Sequence, residues 1–321
     1  MNYRTLGRTG LKVSEIGFGA WGLGAKQWVG AADDESARAL HRAIDLGLNL
    51  IDTALAYGDG HSEKVVGQVV RSRKDKVYVA TKIPPKNRKW PAVGPVGDAF
   101  PGDYVVKCTE ESLKNLGLET IDLQQLHVWT DDFVGQGDWL AAVEMLKKQG
   151  KIRRFGISLG EHTPENGVKA VEAGVVDTVQ VIYNIFDQGP EERLYPVCAK
   201  HNVGVLARVP LDGGGLTGKV TPETSFPKDD FRNNYFKGDR KREVFERVGR
   251  IAQDLGVGLE KMAETAIRFT LSHPAVSTVI PGMRNVRNVE ANCSMGDGKG
   301  LPAAQVAALR KHGWARNYYQ G

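Results

Sequence analysis

Three side chains capable of acid–base chemistry stand at the ends of otherwise apolar segments. Asp52, Lys82 and His127 each follow a run of apolar, β-forming residues. An ionisable group in a core costs several kcal/mol unless it is paired, so any one of them could equally be a satisfied structural residue. Three in succession would be an unusual coincidence. We interpret them as candidate catalytic residues.

Tyr57 adds a candidate proton donor, because it follows Asp52 closely in the sequence. An ammonium group near a phenol lowers a pKa that is normally about 10, and a carboxylate beside the lysine keeps that lysine charged. Asp52, Lys82 and Tyr57 could thus form a relay that supplies a general acid near neutral pH. Such an acid could protonate a carbonyl oxygen as a hydride reaches the carbon.

These residues need a scaffold that brings strand ends together, and the sequence predicts one. Eight apolar runs recur along the chain, at 13–19, 48–54, 77–83, 121–127, 152–158, 176–183, 203–209 and 277–282. Amphipathic segments with helical spacing lie between runs, at 35–46, 104–116, 139–148, 164–173 and 191–201. Buried strands alternating with helices predict an α/β fold, a (β/α)₈ TIM barrel with its active site at the C-terminal strand ends. We expect one domain over residues 1–321.

Two further segments fit this barrel. Residues 1–12 carry glycines between short apolar stretches, which predicts an N-terminal β-hairpin that could cover the barrel floor. The longest gap, 210–238, is rich in glycine and proline and predicts a structureless loop. Long βα loops at the C-terminal face of a barrel are often active-site lids.

A competing fold is suggested by the G-x-G-x-x-G pattern at 17–22, the fingerprint of a doubly wound dinucleotide-binding sheet. That fingerprint should open a helix at once and precede an acidic residue by about 20 positions. Here the first helical pattern begins near Asp34, and Asp52 lies farther on. The alternative is a Gly-rich first βα loop.

Composition excludes several classes of protein. The chain has 321 residues, 41% of them hydrophobic, and its 43 basic and 38 acidic residues give a net charge of +5 with both signs interspersed. This balance suits an anionic small ligand rather than nucleic acid. We expect no membrane association. Three widely spaced cysteines argue against a disulfide framework and favour a cytoplasmic protein. The oligomeric state is not readable.

Taken in order, short motifs along the chain resemble one family. They are Y-R-T-L-G at 3–7, D-T-A-x-x-Y-G at 52–58, A-T-K at 80–82, Q-L-H at 125–127, G-I-S at 156–158, Q-x-x-Y-N at 180–184, G-L-T-G-K at 215–219 and I-P-G at 280–282. The sequence is similar to the aldo-keto reductases over nearly its whole length. The resemblance implies reduction of an aldehyde or ketone with NADPH, NADH being possible. It also implies that Tyr57 donates the proton, Asp52 and Lys82 tune it, and His127 orients the carbonyl.

The resemblance also implies the ligand contacts. The expected cofactor contacts are Gly19, Ala20, Trp21 and Asp52 near the nicotinamide, Ser158 and Gln180 on the carboxamide, Tyr183 stacked under the ring, Pro210, Leu211, Gly213, Gly215, Leu216, Gly218 and Lys219 over the pyrophosphate, and Gly282, Met283, Arg284, Asn288 and Asn292 at the adenosine phosphate. The expected substrate contacts are Trp21, Tyr57, His127 and Trp129. Trp129 is favoured over Trp90 and Trp139 because it follows His127 closely. Arg284 would recognise the 2′-phosphate.

The sequence departs from the family pattern at two positions. Leu159 replaces an asparagine common after the serine, and Ala291 replaces a common glutamate. The alternative function is a cofactor-binding regulatory subunit of a channel, a role that the family also includes. A metal-dependent barrel hydrolase would need clustered ligands. His61, His162, His201 and His273 lack metal-ligand spacing, so we expect no metal.

Overall fold

The computed structural model describes residues 1–24, 28, 30, 32–160 and 163–314. The strands, in chain order, are β1 (Tyr3–Thr5), β2 (Lys12–Ser14), β3 (Phe18–Gly19), β4 (Leu50–Asp52), β5 (Tyr78–Ile83), β6 (Ile121–Leu126), β7 (Ile152–Ser158), β8 (Thr178–Ile182), β9 (Gly204–Arg208) and β10 (Val276–Val279). The α-helices are α1 (Asp33–Asp45), α2 (His61–Ser72), α3 (Val96–Ala99), α4 (Gly102–Leu116), α5 (Trp139–Lys148), α6 (Val168–Glu172), α7 (Leu194–Lys200), α8 (Phe231–Tyr235), α9 (Arg240–Leu255), α10 (Met262–Ser272), α11 (Val286–Cys293) and α12 (Ala303–Arg310). Short 3₁₀ helices lie at Gly7–Thr9, Ala20–Gly24, Asp131–Phe133, Pro164–Gly167, Gly189–Glu191, Asp212–Thr217 and Leu259–Lys261.

Eight parallel strands form the predicted barrel. Strands β3 to β10 lie side by side in chain order, each hydrogen-bonded to the next. The ends of this sheet meet through parallel bridges that join Ile16 to Val279 and Gly19 to Gly282. The (β/α)₈ fold is confirmed. The doubly wound alternative is wrong, because residues 20–24 form a 3₁₀ turn and the first α-helix begins only at Asp33.

The floor of the barrel is covered by the N-terminal hairpin. Strands β1 and β2 pair antiparallel, with Tyr3 opposite Ser14. Leu6 and Val13 of the hairpin share a buried apolar cluster with residues from inside the barrel, namely Leu50, Tyr78, Ala80, Leu123 and Leu206. A larger apolar cluster lies between the strands and the surrounding helices. The strands are buried on both faces for this reason, and their sequences are continuously apolar.

Two sequence predictions need correction. The run at 13–19 is not one strand, because Val13 pairs with Arg4 in the hairpin and the chain re-enters the sheet only at β3. A salt bridge between Arg4 and Glu15, at 2.7 Å, holds the turn between these segments. The stretch 210–238 is not structureless, since it contains the Asp212–Thr217 turn and α8.

A membrane-crossing helix is not found in the part of the chain that the structure describes.

Candidate active site

Four side chains predicted to do chemistry meet at the C-terminal ends of β4, β5 and β6. Asp52 is the last residue of β4, Lys82 lies near the end of β5, and His127 directly follows β6. Tyr57 lies in the turn between β4 and α2. The parallel register aligns these strand ends, because Asp52 lies opposite Ala80, and Lys82 opposite Gln125.

Lys82 and Asp52 form a buried ion pair. The Lys82 side chain is fully buried, and its Nζ donates to Asp52 Oδ2 at 2.6 Å and to the Thr53 carbonyl at 2.8 Å. Burial lowers the pKa of Lys82, but the Asp52 carboxylate and the Tyr57 hydroxyl raise it by more, so the net shift is upward. The lysine therefore stays charged at neutral pH.

The second oxygen of Asp52 is held from across the barrel. Gln180 Nε2 donates to Asp52 Oδ1 at 2.8 Å, and Gln125 Nε2 lies 3.4 Å from the same oxygen. Hydrogen bonds to both oxygens fix the orientation of this carboxylate. Gln180, predicted to bind the nicotinamide carboxamide, thus holds the Asp52 carboxylate through its amide nitrogen.

Tyr57 lies within reach of the ion pair. Its hydroxyl is 3.4 Å from Lys82 Nζ, and the ammonium lies 5.0 Å from the centre of the phenol ring. Burial raises the pKa of Tyr57, whereas Lys82 lowers it, and the net shift is upward. Lys82 acts in the direction that the sequence predicted, but it does not outweigh burial. The hydroxyl is therefore protonated at neutral pH and carries a proton to donate.

His127 is a neutral neighbour of Tyr57. Burial lowers the pKa of the imidazole well below its usual range, and the positive charges of Lys82 and Arg208 add to this effect. Its ring centre lies 5.5 Å from that of Tyr57. Nδ1 is buried with no hydrogen-bond partner among the described residues. A neutral imidazole next to the Tyr57 hydroxyl can hydrogen-bond to a polar group without acting as an acid itself.

The turn that carries Tyr57 is packed against the first βα segment. Gly58 has a left-handed φ of +65°, and a Cβ atom there would lie in contact with the Gly24 carbonyl. Ser62 links the two segments further, since its hydroxyl donates to the Ala20 carbonyl at 3.0 Å and bonds Thr53 Oγ1 at 2.8 Å. Close backbone packing fixes the position of the phenol relative to β4.

Aromatic side chains surround the mouth of the site. Trp21 stacks at 6.3 Å from Tyr57 and contacts Phe231 of α8 at 4.7 Å between ring centres. Trp90 lies edge-on to His127 at 4.7 Å, although 48% of its surface is exposed. These rings provide apolar surface beside Tyr57 and His127, and apolar and aromatic side chains line most small-molecule sites.

Trp129 does not belong to this surface, which corrects the predicted substrate contact. Its side chain is only 2% exposed, its ring packs on Phe133 and Trp139, and its Nε1 donates to Asp131 at 3.0 Å. The indole therefore belongs to the core under the helices. Trp90 contacts His127 instead.

Tyr183 is also misplaced by the sequence prediction. It was expected to stack under a nicotinamide ring, but its side chain is buried among Tyr195, Phe269 and His273. Its hydroxyl donates to Glu191 at 2.6 Å. Side chains alternate between the two faces of a strand, and Tyr183 is an odd number of residues from the inward-facing Gln180, so it points toward the helices.

Arg208 is the site residue that the sequence analysis missed. It is the last residue of β9, and its Nη2 donates to the Leu159 carbonyl at 3.0 Å. Leu159 follows Ser158, which lies opposite Gln180 in the sheet. A signal was available, because Arg208 ends the apolar β9 segment as Asp52 ends β4. Both stand two residues beyond a residue of the inner cluster, Leu206 and Leu50.

The Gly-rich segment after β9 turns through several glycines and is open to solvent at Gly214. Gly213, Gly214 and Gly218 have left-handed φ angles of +61°, +108° and +73°. A Cβ at Gly214 would meet no atom within 4 Å. The other predicted contacts of this segment vary in burial, with Pro210, Gly215 and Leu216 buried, Leu211 half-buried and Lys219 exposed. Gly214 is thus the position in this segment where the backbone is uncovered enough for a phosphate to approach closely.

The segment after β10 returns to the first βα loop. Gly282 bridges to Gly19, and the Arg284 side chain crosses Gly22, where a Cβ would lie 2.5 Å from Arg284 Cδ. Asn285 caps α11 by accepting the Asn288 amide at 2.9 Å. Met283 and Asn292 are both buried.

Groups of His, Cys, Asp and Glu that could hold a metal are absent from the described residues. His162, one of the four histidines considered, lies outside those residues.

A parallel barrel with ionisable residues at the C-terminal ends of its strands is the arrangement typical of barrel enzymes. A family model described as the Aldo/keto reductase family matches residues 15–313. Aldo-keto reductase YhdN of Bacillus subtilis (strain 168) is 32% identical over 304 residues, which cover 91% of this chain and 87% of that protein. A probable voltage-gated potassium channel subunit beta of Arabidopsis thaliana is 28% identical over 313 residues, covering 91% and 90%. A crystal structure of an aldo-keto reductase from Klebsiella pneumoniae in complex with NADPH superposes with a TM-score of 0.70 at 26% identity, covering 98% and 97%.

The chain belongs to the aldo/keto reductase family. It is accordingly an NAD(P)H-dependent oxidoreductase that acts on carbonyl groups.

Proposed function

We propose that this protein reduces an aldehyde or ketone to the alcohol with NADPH, and that Tyr57 is the proton donor. The observation that carries the proposal is the Tyr57 hydroxyl at 3.4 Å from the buried, charged Lys82. A nicotinamide cofactor supplies a hydride when it is bound. Tyr57 transfers its proton from Oη to the carbonyl oxygen, and Lys82 stabilises the phenolate that remains.

The other residues of the site support Tyr57 as the proton donor. Asp52 holds Lys82 charged and in place through the 2.6 Å contact. His127 is neutral and lies beside Tyr57, where it can orient the carbonyl. Trp21 and Trp90 provide the apolar surface against which the rest of the substrate packs.

The residues present fit a dinucleotide cofactor. Gly214 and Gly282 both leave more than 4 Å of free space where a side chain would begin, so backbone can approach a phosphate at both places. The capped N-terminus of α11 offers further amides. Ser158 stays the proposed carboxamide contact, and Arg284 the proposed 2′-phosphate contact. The three cysteines are free thiols, which fits the cytoplasmic location that we propose.

Cofactor choice provides one test of the Arg284 assignment. Its guanidinium can pair with a 2′-phosphate, and no equivalent contact exists with a 2′-hydroxyl. We expect Arg284→Ala to weaken NADPH binding at least about tenfold while changing NADH binding by less than about threefold. Fluorescence titration of both cofactors measures this. Equal losses for the two cofactors would contradict the assignment.

The proposed activity is tested by following NADPH absorbance with a panel of sugars, short aldehydes, aromatic aldehydes and ketones. Tyr195→Phe is the matched control for loss of the Tyr57 hydroxyl, since Tyr195 is a buried tyrosine whose hydroxyl has no partner among the described residues. We expect turnover on at least one aldehyde by the wild type and by this control. Tight NADPH binding without turnover on the whole panel would favour the alternative of a cofactor-binding channel subunit.

A further inference from the structure

Arg208 places a second cation at the site, on the side opposite the Lys82–Asp52 pair. Strands β7, β8 and β9 are consecutive neighbours in the sheet. The Arg208 side chain starts at the end of β9 and reaches the Leu159 carbonyl, just past the end of β7. It therefore extends across the C-terminal end of β8. A guanidinium is charged at every accessible pH, so this is a permanent positive charge.

This position adjoins the proposed nicotinamide contacts. Leu159 directly follows Ser158, and Ser158 is paired with Gln180 on β8. Tyr183, which was expected to pack against the ring, is buried on the helix side of the sheet. Arg208 is thus a side chain at these strand ends that is large enough to lie against a planar ring, and arginine stacks readily on such rings.

The charge on Arg208 also acts on the reacting groups. It contributes to lowering the pKa of His127 and opposes the rise in the pKa of Tyr57. Arg208 therefore lies close enough to the catalytic residues for its field to matter where the nicotinamide and the carbonyl would meet.

We propose that Arg208 contacts the nicotinamide ring of the bound cofactor and weakens binding of NADP⁺ relative to NADPH. This inference rests on the proposed function. The two forms of the cofactor carry the same phosphates and differ in the ring, which is cationic when oxidised and neutral when reduced. A fixed guanidinium beside the ring repels only the oxidised form. The protein would thereby favour the reduced cofactor and carbonyl reduction over alcohol oxidation.

The test is the ratio of dissociation constants, Kd for NADP⁺ over Kd for NADPH, measured by calorimetry or tryptophan fluorescence. Arg208→Met removes the charge and keeps the length of the side chain. We expect this variant to lower the ratio about tenfold, which corresponds to about 1.4 kcal/mol. Arg208→Lys keeps the charge, so the logarithm of its ratio should differ from that of the wild type by no more than half as much as that of Arg208→Met does. Arg208→Gln provides a second neutral variant if the methionine variant does not fold.

Arg154→Met is the matched control. Arg154 lies in β7 and donates to the Thr9 carbonyl at 3.0 Å, so it is an arginine bonded to a backbone carbonyl at the opposite end of the barrel. The ratio should be unchanged in this variant. If Arg208→Met weakens both cofactors equally, Arg208 contacts a phosphate or supports the fold, and the inference is overturned. If the wild type binds neither cofactor, the proposed function fails as well, which is a distinguishable result.

Discussion

Two clusters in the described part of the chain combine the same three chemical groups: a carboxylate, a cation and a tyrosine. The first is Asp52, Lys82 and Tyr57 at the strand ends. The second, made of Asp212, Arg240 and Tyr235, joins the Gly-rich turn after β9 to α8 and α9. Their composition is nearly identical, but their hydrogen bonds differ.

The difference lies in what the tyrosine hydroxyl contacts. Tyr235 donates its proton directly to Asp212, while Arg240 Nη2 donates to Asp212 at 2.8 Å. Tyr57 instead faces Lys82, which has no acceptor, so the proton of Tyr57 is available to a substrate. Tyr57 is also partly exposed at the site mouth, whereas Tyr235 is buried. In the first set the cation lies between the carboxylate and the tyrosine, whereas in the second set the tyrosine bonds the carboxylate directly.

Removing the first cation should have the largest effect. Lys82→Met leaves Asp52 buried without its charge partner, so we expect a loss of about 3–5 kcal/mol in the free energy of unfolding. The rate of carbonyl reduction should fall at least about 10²-fold. Urea unfolding and initial rates measure the two effects.

Two controls sharpen that result. Lys147→Met removes a half-buried surface lysine that pairs with Glu144 and lies 3.9 Å from Asp177, and it should cost less than about 1 kcal/mol. The double variant Asp52→Asn, Lys82→Met should recover part of the stability and none of the activity. A Lys82→Met protein as stable as the wild type would contradict the buried ion pair.

The second cluster should make the free energy of unfolding depend on pH. Burial raises the pKa of Asp212 to about 7, despite the opposing effect of Arg240. An aspartate in the unfolded chain ionises near pH 4. Between about pH 4 and pH 7 the Asp212 carboxyl is therefore protonated in the folded state and ionised in the unfolded state. The stabilisation that this proton gives the folded state is lost as pH rises toward 7. In the wild type, the free energy of unfolding should fall by about 2 kcal/mol between pH 5 and pH 7 because of this group, and Asp212→Asn should abolish that fall. Urea unfolding at several pH values tests this, and identical slopes for variant and wild type would refute it.

His127 should produce a smaller effect of opposite sign. Its folded pKa lies well below the usual value of about 6.5, so the unfolded chain binds the proton first as pH falls. Because of His127, the folded state is therefore destabilised as pH falls below about 6.5, the value of the unfolded imidazole. Between pH 6.5 and 5.5, wild type should lose about 1 kcal/mol more than His127→Gln. Equal losses for both proteins would place the imidazole in a more exposed setting.

The strand-end residues were predictable because of a period of two. Each of Asp52, Lys82 and Arg208 follows by two positions a residue of the inner apolar cluster, so each points into the barrel at its mouth. Charged residues after apolar runs identified the first two, and the same rule applied to 204–208 would have found the third. Counting from Gln180 would likewise have placed Tyr183 on the outer face.

Other features could not be read from the sequence. The positions of Trp90 and Trp129 depend on how irregular loops after β5 and β6 pack, and no periodicity constrains them. The contact of Asp212 with Arg240 joins segments far apart in the sequence through a turn with left-handed residues. Neither the spacing nor the composition of the sequence predicts the contact between Asp212 and Arg240. The hairpin floor was predictable, since its glycines and short strands are local.

The central claim is that Tyr57 donates the proton and Tyr235 does not, and one paired measurement tests it. Tyr57→Phe and Tyr235→Phe each remove one hydroxyl from equivalent sets of groups, and single-turnover reduction of the best aldehyde is compared at saturating NADPH. We expect Tyr57→Phe to lower the rate about 10²–10⁴-fold with a change in stability below about 1 kcal/mol. Tyr235→Phe should cost about 1–3 kcal/mol of stability and change the rate less than about threefold. A Tyr57→Phe enzyme that keeps more than a third of the wild-type rate would contradict the account.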